Sequence, residues 1–124
     1  MEPMKRLVFG EGLMGPSLSG EKMITLRKYR PGAHDFTQGE MVIGEFKDGL
    51  DVLLTITADT EKKPFSEITD DEARADGYKN AQEAFQGLKD YYPDLKKSDI
   101  AAKIRFEILK VTQVPVVSLN KYTL

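Results

Sequence analysis

Four cations, Lys22, Arg27, Lys28 and Arg30, fall within nine residues, with His34 just beyond them. Guanidinium and ammonium groups at this density build a local patch for an anion, because they donate charge-assisted hydrogen bonds to phosphate or carboxylate oxygens. Only Glu21 and Asp35 flank the cluster. The plain alternative is a solvated strand and loop. Thr25 adds a hydroxyl to the same stretch. Residues 23–27 read as a strand, so Ile24 and Leu26 share one face while Thr25 and Arg27 share the other. Strict alternation sets Lys22 and Thr25 on opposite faces; they converge only if the strand begins after Lys22, which follows Gly20, where the chain can turn. One carboxylate stands out from its surroundings. Asp76 falls at the C-terminal end of a short predicted helix, where the dipole disfavours it by about 0.3–1 kcal/mol. Asp-Gly is ordinary turn chemistry, yet departures from local preference also collect at functional sites.

Composition narrows the chemistry. The formal net charge of −2 gives no field that would hold nucleic acid non-specifically, but it allows a pocket that takes one base. With no cysteine, disulfides and thiolate metal sites are excluded, and a lone histidine argues against a zinc site, a Ser-His-Asp triad or a Cys-His pair. No phosphate-binding glycine loop, dinucleotide fingerprint, GxSxG or HExxH is present. Neither a metal nor a cofactor is therefore expected. No apolar run reaches membrane-spanning length and residues 1–10 lack a signal-peptide core, so no membrane partner and a cytoplasmic location are expected. A length of 124 residues fits a single domain over 1–124.

The elements that must position these groups follow from periodicity. A first strand is expected over 5–9. Gly10, Gly12, Gly15 and Pro16 then break the chain, leaving room for at most a short helix. Residues 29–39 carry Pro31, Gly32 and Gly39 and read as a loop. Residues 41–46 and 50–58 form a hairpin around Lys47-Asp48-Gly49, with Leu50, Val52, Leu54, Ile56 and Ala58 on one apolar face. Thr69 and Glu72 make a capping box for a brief helix that Gly77 stops. A second helix starts near Asn80 and carries Ala81, Ala84, Phe85, Leu88 and Tyr92 at helical spacing until Pro93. Over 100–108, Ile100, Ala102, Ile104, Phe106 and Ile108 face in, while Lys103, Arg105 and Glu107 face out. The phase then slips, which predicts a β-bulge near Ile108. Residues 114–117 could add only an edge strand, because of Pro115. The expectation is an α+β fold, a mixed β-barrel with short helices packed on it. Ile24, Leu26, Val52, Leu54, Ile56, Ile104 and Phe106 should share its core, with Phe85 and Leu88 against it.

Several segments together resemble the ASCH family. They are Gly20-Glu21-Lys22-Met23-Ile24-Thr25-Leu26-Arg27, Phe36-Thr37-Gln38-Gly39-Glu40, Pro64-Phe65-Ser66-Glu67-Ile68-Thr69, Ala73 and Asp76-Gly77-Tyr78. Tyr92-Pro93 and the strand ending Ile104-Arg105-Phe106-Glu107 extend the likeness over most of residues 9–110. The resemblance implies a PUA-like β-barrel with a cleft, related to folds that hold RNA or a modified base. Some small members are amidohydrolases that remove the acyl group of N4-acetylcytidine with a lysine and a threonine of a GxKxxT segment and a glutamate past the helix. Lys22 and Thr25 match. The third position is Asp76, one methylene shorter, and a carboxylate held about 1 Å off position costs on the order of 100-fold in rate. On that pattern Thr25 is the nucleophile and Lys22, when neutral, its base. Asp76 positions Lys22 or moves a proton, and Arg27 holds the ligand or steadies negative charge.

Three functions compete. The first is binding of RNA or a modified nucleoside, with Arg27, Lys28, Tyr29 and Arg30 as ligand-binding residues and Tyr29 or Phe36 offering a stacking face. The second is N4-acetylcytidine hydrolysis by Lys22, Thr25 and Asp76. The third is a non-catalytic protein-interaction or regulatory domain. The cation cluster favours the first two, and the shorter Asp76 counts against the second.

Overall fold

A computed structural model describes residues 5–9, 23–47 and 51–113 of the chain. Six strands carry it: β1 Arg6–Phe9, β2 Ile24–Lys28, β3 Met41–Phe46, β4 Asp51–Ile56, β5 Glu61–Pro64 and β6 Ile100–Gln113. Two helices, α1 Asp70–Ala75 and α2 Ala81–Leu88, lie between β5 and β6. The strand order is β1-β3-β4-β6-β2, with β5 paired to β6 beside that path. Among the described residues β1 and β3 are the one parallel pair. The sheet is mixed and curls into a half-barrel of the α+β class.

The long strand β6 is the axis of the fold. Its first half pairs with β2 and β5, and its second half with β4. Leu54 opposes Ile108 and Leu53 opposes Lys110, so Leu109 is the extra residue of a bulge. This is the phase slip expected from sequence, and it bends β6 so that one strand serves both parts of the curl. The expected pairing of the two hairpin strands is present, with Val42 opposite Leu54 and Gly44 opposite Val52. A Cβ on Gly44 would come within 3.0 Å of the Val52 Cγ2, so glycine lets the large β4 side chains fill this corner. Residues 10–20, the hairpin turn at Asp48 and Gly49, and the possible edge strand 114–117 lie outside the described residues.

The expected single core is two cores, one on each face of β2 and β6. Val52, Leu54, Ile56, Ile104 and Phe106 fill the concave side with Leu7, Phe9 and Phe46. Ile24 and Leu26 instead join Phe65, Phe85 and Leu88 under the helices. Burial of each such side chain contributes about 1.5–3 kcal/mol, so Ile24 and Leu26 hold β2 against the helices. Two outward or inward assignments on β6 are corrected by this layering. Lys103 faces the helices and is buried, where Glu72 and Glu61 pair with it, and Ile100 is 41% exposed.

The helices form as their caps dictate. Thr69 accepts the Glu72 amide while Glu72 accepts the Thr69 amide, the full capping box. Gly77, at φ +95°, then sits in the left-handed region. Its amide donates to the Arg74 carbonyl and that of Tyr78 to the Ala73 carbonyl, a Schellman stop. Asn80 caps α2 by accepting from the Glu83 amide. Helix α2 ends at Leu88, so Tyr92 lies beyond it, in the turns before β6.

Candidate functional site

Strands β1 and β2 are the two ends of the sheet path, and curling brings them together with a gap between. A cleft of about 560 Å3 occupies this seam. Residues 5–8 form one wall and residues 27–30 the other. Five cations line it: Lys5, Arg6, Arg27, Lys28 and Arg30. Tyr29, Tyr92 and His34 contribute further polar and aromatic surface, and among the described residues no carboxylate lines it.

Arg27 spans the seam. Its Nε donates to Thr25 Oγ1 at 3.0 Å, and one terminal nitrogen donates to the Val8 carbonyl on β1 at 2.8 Å. The guanidinium carbon lies 5.3 Å from the centre of the Phe9 ring. Burial lowers the Arg27 pKa from its ordinary value, against the raising influence of Tyr92, Tyr91 and Tyr78. An arginine so placed stays charged at any physiological pH. It is oriented by fixed contacts and faces the cleft.

Thr25 lies behind this arginine. Its side chain shares the concave face with Arg27, as alternation requires, but it is only 3% exposed and is not part of the cleft lining. The closed second face explains this: β2 packs on both sides, so a residue off the helix face is still interior. Asp76 is 6% exposed, and its Oδ2 accepts the Leu26 amide at 3.2 Å. Thr25 and Arg27 are thus bonded side by side on β2, and Asp76 reaches the backbone of the same strand at Leu26. Lys22 lies outside the described residues.

The other expected ligand residues divide by their partners. Lys28 lines the cleft and pairs loosely with Asp99 at 3.9 Å. Arg30 lines it too, and among the described residues no carboxylate pairs with either Arg30 or Arg27. Tyr29 is half-buried; its hydroxyl donates to Asp35 and Lys62 lies 4.8 Å from its ring centre. Asp35 also takes the Gly32 amide. These hydrogen bonds, the Gly32 amide first and Tyr29 second, hold the Asp35 carboxyl below its usual range. Phe36 is corrected: it is buried in the concave core and has no face to offer a base.

Lys5, Arg6, His34 and Tyr92 were not legible as site residues. Lys5 and Arg6 stand visibly at the head of the first strand, but the parallel pairing of β1 with β3 is what carries them to the seam. Glu72 and Lys103 form a second unexpected feature beneath the site. Glu72 takes both Lys103 and, at 2.7 Å, Lys63, which clamps α1 to β5 and β6. Burial alone would raise the Glu72 pKa, but hydrogen bonds from Lys103, Lys63 and the Thr69 amide outweigh it and bring it to about 2. Among the described residues no group of three His, Asp or Glu is arranged to hold a metal ion. No helix there is long and apolar enough to cross a membrane.

The fold has known counterparts. The chain superposes on an ASCH domain from Lactobacillus crispatus with a TM-score of 0.65, at 14% identity, over 77% of this chain and 69% of that one. The fold is that of an ASCH domain. An Enterococcus faecalis protein of the DUF984 family matches 91% of this chain and 84% of its own, with a TM-score of 0.66 and 18% identity. A mutant of the ASCH protein from Zymomonas mobilis matches 94% of this chain and 78% of its own, with a TM-score of 0.58 and 12% identity. At such identities it is the ASCH architecture that is shared. No family model and no curated protein matches the sequence.

Proposed function

We propose that this protein binds RNA or a modified nucleoside in the basic cleft between β1 and β2. The observation that carries the reading is the charge contrast. Among the described residues five cations and no carboxylate line the cleft of a chain whose net charge is −2. Lys5, Arg6 and Lys28 pair with Glu40, Glu45 and Asp99 outside the lining, and Arg27 and Arg30 pair with no described carboxylate. Such focusing draws a polyanion or a charged ligand to one place rather than to the whole surface. The volume lies within the range of about 300–1,000 Å3 usual for small-ligand sites. Tyr29 and Tyr92 supply aromatic surface for a base. A mass-spectrometric screen of the apo-protein against modified nucleosides and short RNAs, recording retention and turnover together, tests this. Retention that weakens with added salt is the expected result. If no nucleoside or RNA is retained at low salt, the reading fails.

N4-acetylcytidine hydrolysis is the second reading, favoured by one observation: the Asp76 carboxylate bonds the amide next to Thr25. In it the Thr25 hydroxyl attacks the acyl carbon while Lys22 takes its proton and passes it to the departing cytidine N4 amine as the C–N bond breaks. Water then hydrolyses the threonyl ester, releasing acetate and restoring the hydroxyl, and Asp76 orients Lys22. The burial of Thr25 beneath Arg27, with its oxygen engaged by the Arg27 Nε, supports a positioning role instead. Binding is therefore the reading we prefer.

A further inference from the structure

His34 is the chain's only histidine, it is 8% exposed, and it lines the cleft. Its Nδ1 accepts the Arg30 backbone amide at 3.0 Å. A ring nitrogen that accepts cannot carry a proton, so the imidazole is neutral and its single N–H is at Nε2. Among the described residues nothing accepts from Nε2. The loop fixes the ring's backbone on its other side as well, since the Thr60 hydroxyl donates to the His34 carbonyl at 2.6 Å. The ring is a largely buried N–H donor that lines a cationic cleft.

Resting on the reading of the cleft as a nucleic-acid or nucleoside site, we propose that Arg27, Arg30 and His34 form a phosphate subsite within it. The ligand then carries a phosphate, as a nucleotide or an RNA strand does, and is not a free nucleoside. Arginine has five N–H donors, and Arg27 commits two of them, to Thr25 and Val8. Three remain for a ligand, and Arg30 keeps all of its own, because no side-chain bond engages it among the described residues. A carboxylate's two oxygens accept about four hydrogen bonds, fewer than this set can donate. A phosphate offers three strong acceptor oxygens and up to two charges. Neutral His34 suits a cleft that already holds two arginines because it donates without adding a third positive charge. Burial, then Arg27 and Arg30, lower its pKa, with Asp35 opposing.

The test uses the whole chain with three probes: inorganic phosphate, N4-acetylcytidine and N4-acetylcytidine 5′-monophosphate. Calorimetry gives the affinities, and the lone imidazole gives one unambiguous NMR signal. The monophosphate should bind about tenfold or more tightly than the nucleoside, as one good charge-assisted contact provides. Arg30→Gln should bring that ratio towards one; Arg30 is exposed, so this variant should fold even if His34→Gln does not. Inorganic phosphate should shift the Nε2 signal at constant pH. Equal affinity for nucleoside and monophosphate, with no phosphate-induced shift, overturns the subsite and leaves the nucleoside reading standing. Binding of inorganic phosphate that Arg30→Gln abolishes, with no nucleoside or RNA bound, keeps the subsite and removes the wider reading.

Discussion

Asp76 Oδ2 accepts the Leu26 amide at 3.2 Å, joining positions fifty residues apart. Beside it the Met23 amide donates to the Ala75 carbonyl at 3.0 Å. Together these bonds fasten the C-terminus of α1 to the strand that carries Thr25 and Arg27. They also explain a conflict visible in the sequence. A carboxylate at a helix C-terminus costs about 0.3–1 kcal/mol, whereas a hydrogen bond to a charged group contributes about 1.5–3 kcal/mol. The bond wins.

Asp76→Ala should therefore lower stability by about 1–3 kcal/mol in urea unfolding, because it strands a buried amide with no acceptor. Asp76→Asn keeps an acceptor oxygen and should recover most of that loss. An alanine variant as stable as the wild type would show that the bond carries no weight.

The clamp between Glu72 and Lys103 predicts a pH profile. Glu72 is drawn from 4.5 to about 2 in the folded chain, so its contribution is complete above about pH 4.5 and is lost as pH falls towards 2. A drop of this size corresponds to about 3 kcal/mol at neutral pH. Lys103 is raised above its ordinary value despite burial, because Glu61 and Glu72 bind it, so the same clamp weakens again only in strong alkali. His34, lowered first by burial and then by Arg27 and Arg30, adds a separate loss that begins as pH falls below about 6.5. Glu72→Gln should flatten the acid limb below pH 4.5 in chemical denaturation and leave the His34 loss below about pH 6.5 in place.

The local grammar of the chain was readable, and its layering was not. Alternation in 41–46 and 51–56, the capping box at Thr69 and Glu72, and the bulge behind Ile108 all rest on near neighbours, and all are present. Strand β5, Glu61–Pro64, has no apolar alternation to betray it, because it is a charged strand whose pairing β6 dictates. Thr25 and Lys103 look like surface residues in sequence. Both are interior because β2 and the first half of β6 are covered on two faces, a long-range property of the curl. The cation patch was visible at residues 27–30, but the opposing wall and His34 come from β1 and from a loop tied down by Thr60.

Arg27 provides a test of how the cleft holds a polyanion. Arg27→Ala should reduce the slope of log affinity against log salt for a short single-stranded RNA by about 0.7, as expected for one lost phosphate contact. Arg27→Lys keeps the charge and should keep most of that slope. It should still lose affinity, since an ammonium has no planar fork to bond Thr25 and Val8 while facing a ligand. A lysine variant that binds as tightly as the wild type would mean that the fixed orientation is unimportant.

Thr25 separates binding from catalysis. Its hydroxyl oxygen accepts from the Arg27 Nε, and as a hydroxyl it retains a proton to donate. If it only steadies Arg27, Thr25→Ala should weaken a bound nucleoside or RNA by about 0.5–1.5 kcal/mol, and Thr25→Ser should restore it. If it is a nucleophile, Thr25→Ala should abolish release of acetate from N4-acetylcytidine while leaving affinity nearly intact. Asp76→Glu is then the deciding variant. The longer carboxylate should raise the rate if Asp76 falls short of the reacting groups, and lower it if the bond to Leu26 has set the backbone for the shorter side chain. The second outcome follows from the structure, because the extra methylene must displace a buried carboxylate already bonded to β2. No acetate from the wild type or from Asp76→Glu, under conditions where ligand binds, removes the hydrolytic reading. A steady burst of acetate that Thr25→Ala eliminates would overturn the preference for binding.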